Sequence, residues 1–121
     1  MEVIVQAKEN STAGGVGAVA GSFNRGTLVI ITCNPEDTWN LLSGQQTYTC
    51  NANGLGNTTH LDVATGTMIG SINGGTSFFP VGTLCEIMIT ADNTELTLWC
   101  ADSDKDNNSG GISANVQGQV V

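Results

Sequence analysis

The sequence predicts an all-β protein, folded as an antiparallel sandwich or barrel in one domain that spans residues 1–121. Short runs of β-branched and aromatic residues recur along the chain, and clusters of Asn, Asp and Gly separate them at intervals typical of antiparallel sheets. No window of helical length keeps apolar residues at the i, i+3, i+4 spacing, and the sixteen glycines weigh further against helix. A chain of this length can bury a modest core without disulfide or metal staples.

Seven runs are predicted as strands, and turn-forming residues separate them. The runs are residues 3–5, 27–32, 47–50, 67–69, 84–90, 96–100 and 112–116, and the turns include residues 24–26, 53–54, 74–75 and 91–93. Because side chains alternate along a strand, Leu96, Leu98 and Cys100 are predicted to share one face. Thr97 and Trp99 lie on the other face, where Trp99 is more typical of a core or subunit interface than of an exposed ligand-binding platform.

The charge of the chain excludes several classes of partner. Only Lys8, Arg25 and Lys105 are basic, against eleven acidic residues, so the net charge is −8. Nucleic acids and anionic membrane surfaces are excluded, because their recognition needs clustered Lys or Arg. No apolar run reaches the roughly 20 residues of a spanning helix, and the first residues lack the pattern of a secretory signal. We therefore expect a soluble protein, cytoplasmic or released without a classical signal peptide, with no membrane insertion.

The cysteines and the lone histidine do not form a recognisable catalytic or zinc motif. Cys33, Cys50, Cys85 and Cys100 are widely spaced and contain no CxxC pair, which argues against a zinc ribbon. Two disulfides or four small buried thiols are both compatible with the pattern, and the thiols are favoured. His60 has no Ser or Cys motif around it, so a surface or strand-edge histidine is expected rather than a catalytic base.

Residues 102–110 form a dense run of oxygen donors between two predicted strands. The run contains three aspartates, two adjacent asparagines, two serines and a glycine. Calcium takes roughly six to eight oxygens of these types, although the same residues also make ordinary solvated turns. Because a strand holds each end of the loop, the cation site is the favoured interpretation. It is not an EF-hand, since Asn107 stands where the turn glycine belongs and Ser113 where the bidentate Glu belongs.

The chain resembles a known family in its last third. The run from Leu96 to Asp102, the Asn-Asn-Ser-Gly of residues 107–110 and the strand 112–116 are similar to the C-terminal part of the LecA-type, or PA-I, lectins. These are small bacterial lectins that bind galactose through calcium. Weaker similarity at residues 24–26, 66–72 and 79–84 follows the family's order, whereas residues 40–62 are unmatched.

The resemblance implies a jelly-roll-like β-sandwich that assembles as a homotetramer, with one Ca²⁺ bridging the protein and two adjacent hydroxyls of galactose. It implies calcium ligation by the side chains of Asp102, Asn107 and Asn108, and by the backbone carbonyls of Trp39 and Asp104. The loop from Asp102 to Asn107 is two residues shorter than in the family and carries two extra carboxylates. Asp104 can therefore ligate through its backbone or through its side chain.

The resemblance also implies which residues contact the sugar. They are Asp102, Asn107, Trp39, Ser103 and Asn53, with Asn53 standing in for a histidine of the family. Gly56 occupies the position of a family glutamine and cannot replace its side chain. The side chain of Trp39 is equally compatible with the rim of the site and with packing.

Two alternatives to the lectin remain at the level of sequence. One is a β-sandwich in which calcium is purely structural and the glycan is different or absent. The other is a glycoside hydrolase, whose two carboxylates must face each other across a cleft at roughly 5 to 10 Å. Because the acidic residues here are clustered in one short loop, the hydrolase is the weakest of the three, and the protein is predicted not to be an enzyme.

Overall fold

Alternating apolar and polar residues build two antiparallel sheets that pack face to face. The computed structural model describes residues 1–43, 46–56 and 59–121. The strands of these residues are β1 (Glu2–Gln6), β2 (Ala18–Phe23), β3 (Thr27–Cys33), β4 (Trp39–Ser43), β5 (Gln46–Cys50), β6 (Thr59–His60), β7 (Val63–Ala64), β8 (Met68–Ser71), β9 (Phe79–Pro80), β10 (Leu84–Met88), β11 (Thr94–Cys100) and β12 (Gly111–Val120).

The first sheet has the strand order β1-β12-β3-β10, and the second has the order β2-β11-β8-β9. Two hairpins, β4-β5 and β6-β7, stand beside them. All the paired strands are antiparallel, and the described residues contain no helix. This arrangement confirms the prediction of an all-β antiparallel sandwich. No described helix has the length and apolarity needed to cross a membrane.

One hydrophobic core lies between the two sheets. On β3, Val29 and Ile31 turn inward, and on β11, Leu96, Leu98 and Cys100 meet them from the opposite sheet. All five are completely buried, which confirms the predicted inner face of residues 96–100. Full burial of a Val, Leu or Ile side chain stabilises a fold by about 1.5–3 kcal/mol, so these strands hold the sandwich closed.

The outer face of β11 is covered as well. The rings of Trp99 and Phe78 meet edge to face, with centroids 5.5 Å apart, and the Trp99 indole N–H donates to Thr97 Oγ1 at 2.9 Å. Gly17 lies so close beneath the ring that a Cβ there would come within 2.7 Å of it. Trp99 is thus a packing residue, half-buried on the outside of the second sheet.

The sequence prediction missed five strands, which are β2, β4 and the two-residue strands β6, β7 and β9, and it ended β12 four residues early. Residues 18–23 consist mainly of small residues with low strand preference, and they become β2 because β11 supplies a partner. Trp39 begins β4, a strand that none of the seven predicted runs includes. β12 continues to Val120, since its second half pairs with β3 along residues 27–30.

The four cysteines are free thiols, as favoured by the sequence. Burial raises the pKa of the Cys33 thiol to about 11, with a smaller contribution from the negative charge of Asp37. Burial is also the main cause of the raised pKa values of Cys50, Cys85 and Cys100. The thiols therefore stay protonated at neutral pH, which makes them poor nucleophiles and poor metal ligands.

Candidate functional site

The loop between β11 and β12, residues 101–110, is fastened to its surroundings at both ends. At its start, the Ala101 N–H donates to the Thr67 carbonyl at 3.0 Å. The Thr12 hydroxyl donates to the Asp102 carbonyl at 2.9 Å and accepts from the Asp102 N–H at 3.2 Å. At its end, Ser109 pairs with Asn40 through two backbone hydrogen bonds of 2.9 and 3.0 Å. The loop is therefore a preformed element, as its position between strands suggested.

Asp102 is a buried carboxylate, with 7% of its surface exposed. Its Oδ1 accepts from the backbone N–H groups of Ser103 at 2.7 Å and Asp104 at 3.4 Å. Within the described part of the chain, the single ion pair joins Lys105 to Asp106, so Asp102 is not neutralised by a basic side chain. A buried charge without a counter-charge is costly, and a bound cation would offset that cost.

Asn108 carries an orphaned oxygen. Its Nδ2 donates to the Ala7 carbonyl at 2.8 Å, deep in the protein. Its Oδ1 is buried and has no hydrogen-bond partner, and no other buried side-chain oxygen or nitrogen of the described residues is in this state. An unsatisfied buried acceptor costs about 1–3 kcal/mol, and an ion or ordered water is the usual reason that such an atom persists.

Asp104 and Asn107 brace the exposed end of the loop. Asn107 Nδ2 donates to Asp104 Oδ2 at 3.2 Å, and the Asp106 N–H donates to Asp104 Oδ1 at 3.1 Å. Both carboxylate oxygens of Asp104 are thus engaged within the loop, which favours its backbone carbonyl as the ligating group. In Asn107, as in Asn108, the Nδ2 donates to a protein acceptor. The Oδ1 of each amide therefore faces away from that acceptor.

The donor set fits a hard cation. It consists of one carboxylate, two side-chain amide oxygens and a backbone carbonyl, which are the ligand types of calcium. Nowhere in the described ranges do three His, Cys, Asp or Glu residues gather as a metal cluster, so a cation at this loop would depend on the amide oxygens. Burial, followed by the negative charge of Asp102, raises the pKa of the neighbouring Cys100 thiol, which therefore adds no thiolate donor.

The ring of Trp39 belongs to the core and not to the rim of a binding site. It is completely buried, and its indole N–H donates to the Gly66 carbonyl at 2.9 Å. This decides between the two roles that the sequence left open for the side chain. The expected sugar contact is corrected accordingly, because a ring without exposed surface cannot touch a ligand on the outside of the protein.

The Trp39 carbonyl of β4 does not face the loop, although the resemblance implied that it would. Asn40 points both its N–H and its carbonyl at Ser109, and antiparallel strands alternate such bonds from residue to residue. The Trp39 carbonyl is consequently directed to the other side, toward its partner Cys50 on β5. The Thr38 carbonyl lies on the loop side, 3.7 Å from the place a Cβ would take at Gly110. Sequence reasoning missed Thr38, which a correct placement of β4 would have revealed.

The two remaining predicted sugar contacts differ in their surroundings. Ser103 is exposed immediately after Asp102. Asn53 pairs with Thr67, whose carbonyl in turn accepts from Ala101, so Asn53 lies two strand spacings, roughly 10 Å, from the loop. Its Oδ1 accepts from the Thr83 N–H at 3.0 Å and therefore serves the β9–β10 connection.

The neighbourhood of Asn53 is described only in part. Gly56 is exposed, and a Cβ at this position would meet no atom within 4 Å. The side chain of His60 lies outside the described part of the chain.

Comparisons with known proteins place the fold among lectin-type β-sandwiches. No protein-family model matches the chain, and no curated protein matches it. Among solved structures, it is similar to the N-terminal domain of EclA, described as a PllA-like lectin, with a TM-score of 0.63. The alignment covers 98% of this chain and 95% of that domain at 19% sequence identity. At this identity the likeness establishes the shared fold.

Proposed function

We propose that this protein is a calcium-dependent lectin that recognises galactose-terminated glycans at the loop formed by residues 101–110. The observation that carries the proposal is the buried, unpartnered Oδ1 of Asn108, in the same loop as a buried carboxylate, Asp102, that lacks a counter-charge. The shared fold with a lectin domain and the sequence resemblance to calcium-dependent galactose lectins support the same conclusion.

The side chains of Asp102, Asn107 and Asn108 would hold the ion, together with the backbone carbonyl of Asp104. A further carbonyl would come from the start of β4, where Thr38 is better directed than Trp39. Bound calcium supplies coordination positions that two adjacent sugar hydroxyls can fill.

Around the ion, Asp102 can accept hydrogen bonds from those hydroxyls, and the amide of Asn107 can donate as well as accept. The hydroxyl of Ser103 stands at the surface next to them. Binding of sugar and cation would then form one network, so the loss of either partner weakens the other. Asn53 remains a proposed contact through the part of its amide that Thr83 does not use.

A homotetramer would make weak single sites effective, because linked sites raise the overall affinity for a glycan-covered surface. The outer face of the first sheet supports association, since Ile4, Leu84 and Met88 expose 58%, 64% and 44% of their surface there. Sedimentation of the purified protein in calcium measures the number of subunits. A monomeric profile at all concentrations would contradict this part of the proposal.

Calorimetry with methyl galactoside, in calcium and in excess chelator, tests the function. We expect heat of binding only in calcium, and its loss in Asp102→Asn. Asp106→Asn is the matched control, because it removes the same charge from an exposed position of the same loop. Binding of calcium without any heat of sugar binding would indicate that the ion has a purely structural role. Turnover of a chromogenic galactoside would indicate a hydrolase.

A further inference from the structure

A cleft of about 500 Å³ adjoins the proposed calcium loop. Its walls are residues 8–10 and 14–17, from the connection between β1 and β2, together with the side chain of Lys105 from the loop itself. The cleft is separate from the oxygen cluster around Asp102 and Asn108, and neither of these two residues lines it. Nothing in the proposed calcium site requires it.

The charge of this cleft is opposite to that of the molecule. The protein has a net charge of −8 and only three basic residues, yet two of them, Lys8 and Lys105, line this one cleft. Glu9 is the single acidic residue in the lining, and Arg25 is the single basic residue outside it. Lys105 also lies 3.5 Å from Asp106, an exposed pair that water screens. A patch of positive charge on an acidic protein attracts a negatively charged group.

The wall opposite Lys105 is rigid. Asn10 Nδ2 donates to the Val16 carbonyl at 2.7 Å, and the Val16 N–H donates back to the Glu9 carbonyl at 2.9 Å. Gly15 packs so tightly that a Cβ there would come within 2.5 Å of backbone oxygens. A cleft with fixed walls loses little conformational entropy when a ligand enters.

The same segment connects the cleft to the proposed sugar site. The Ala7 carbonyl accepts from Asn108, and the Thr12 hydroxyl bonds to the backbone of Asp102. Lys105 lies between those two loop residues in sequence and reaches over to Gly14, where a Cβ would be 3.9 Å from its Cε. A glycan held at the loop therefore has a basic cleft on the side of residues 8–17.

We propose that this cleft binds an acidic substituent of the glycan, a carboxylate or a sulfate, on a sugar next to the one held by calcium. The inference rests on the proposed lectin function and adds to it a preference for acidic oligosaccharides over neutral ones. Lys8 and Lys105 supply charge-assisted hydrogen bonds to the anionic oxygens. Val16, with 76% of its surface exposed, offers an apolar contact for the face of the sugar ring.

The test is an array of galactose-containing oligosaccharides in matched pairs, each present with and without one sulfate or carboxylate group, probed in calcium. We expect acidic members to bind about 3- to 10-fold more tightly at low salt, the range for a few partly exposed charge contacts. The preference should shrink at about 0.5 M NaCl, where screening is strong, while binding of neutral members is retained.

Four substitutions, each replacing one charged residue by Gln, separate the effect of the cleft from that of the overall charge. Lys8→Gln should lower the preference for acidic members about 2- to 5-fold, and Glu9→Gln should raise it by a similar factor. Arg25→Gln changes the net charge as much as Lys8→Gln does, outside the cleft, and should leave the preference unchanged. Lys105→Gln should act in the same direction as Lys8→Gln.

The outcomes distinguish this inference from the function on which it rests. Equal binding of acidic and neutral members, or an equal effect of Lys8→Gln and Arg25→Gln, overturns the acidic subsite and leaves the lectin intact. Absence of binding to every member of the array overturns both. Preference for acidic members that Lys8→Gln and Glu9→Gln shift in opposite directions supports the cleft as the subsite.

Discussion

The loop of residues 101–110 and the segment that contains Asn53 were both expected to contribute to one binding site, yet their polar side chains are used differently. In the loop, the Oδ1 of Asn108 is buried without a partner, and Asp102 is buried without a counter-charge. In the segment, Asn53 uses its Oδ1 to hold the backbone of Thr83. Polar composition alone does not identify ligands. Hydrogen-bond partners distinguish a buried oxygen that is left unpaired, as in Asn108, from one that holds the chain, as in Asn53.

The largest effect should come from Asn108. We expect Asn108→Ala to weaken calcium binding by more than the 10- to 100-fold that loss of an outer-shell partner typically causes, because it removes a directly ligating oxygen. Asn108→Asp keeps an oxygen for the ion but adds a second buried negative charge to the loop that already contains Asp102. It should therefore unfold more easily in chelator and gain more stability from calcium. Calorimetry and thermal unfolding measure both effects, and unchanged calcium affinity in Asn108→Ala would contradict the assigned ligand.

Calcium itself should stabilise the fold. At a concentration of about 100 times its Kd, a ligand that binds only the native state contributes about 2.7 kcal/mol, which corresponds to a rise in Tm of roughly 10 °C for a domain of this size. Asp102→Asn should abolish this rise in Tm. In chelator, the variant should be as stable as the unaltered protein or more stable, because a buried charge has been removed. An Asp102→Asn variant that is markedly less stable in chelator would show that the carboxylate serves the fold and not the ion.

A smaller effect is expected from substitutions of Asn53, in the other of the two regions. Asn53→Ala should lower the free energy of unfolding by about 0.5–1.5 kcal/mol, since the Thr83 N–H loses its acceptor. Asn53→Asp retains an acceptor oxygen and should lose less. Urea unfolding gives the stability change, and calorimetry of the same variants gives the sugar affinity. A loss of sugar affinity without a loss of stability would show that Asn53 contacts the sugar and does not support the fold.

The smallest effect concerns the turn between β6 and β7. Leu61 and Asp62 both have positive φ, 56° and 63°, in a two-residue hairpin connection where Asn-Gly is the favoured pair. The double variant Leu61→Asn with Asp62→Gly should stabilise the protein by about 1 kcal/mol by relieving this strain. Thermal unfolding should show a higher Tm, with calcium affinity unchanged. A weaker sugar affinity in this variant would indicate that the strained turn has a binding role.

Much of the fold was predictable because its signals are local. β3 and β11 are β-branched or alternating runs, and their predicted positions agree with the structure. β2 was not predictable, because its small residues become a strand only through pairing with β11, which is more than 70 residues away in sequence. β4 was missed for a related reason, since the burial of Trp39 depends on the distant Gly66 carbonyl.

The sequence by itself determined that the protein is an all-β sandwich and that residues 102–110 are a loop rich in hard oxygen donors. Strand period and donor type are properties of neighbouring residues, so they can be read along the chain. Only the tertiary structure decided that Asn108 Oδ1 is left unpaired, that the ring of Trp39 is buried and that Lys8 faces the same cleft as Lys105. Each of these depends on partners from distant parts of the chain, and burial and hydrogen bonding arise only when those parts pack together.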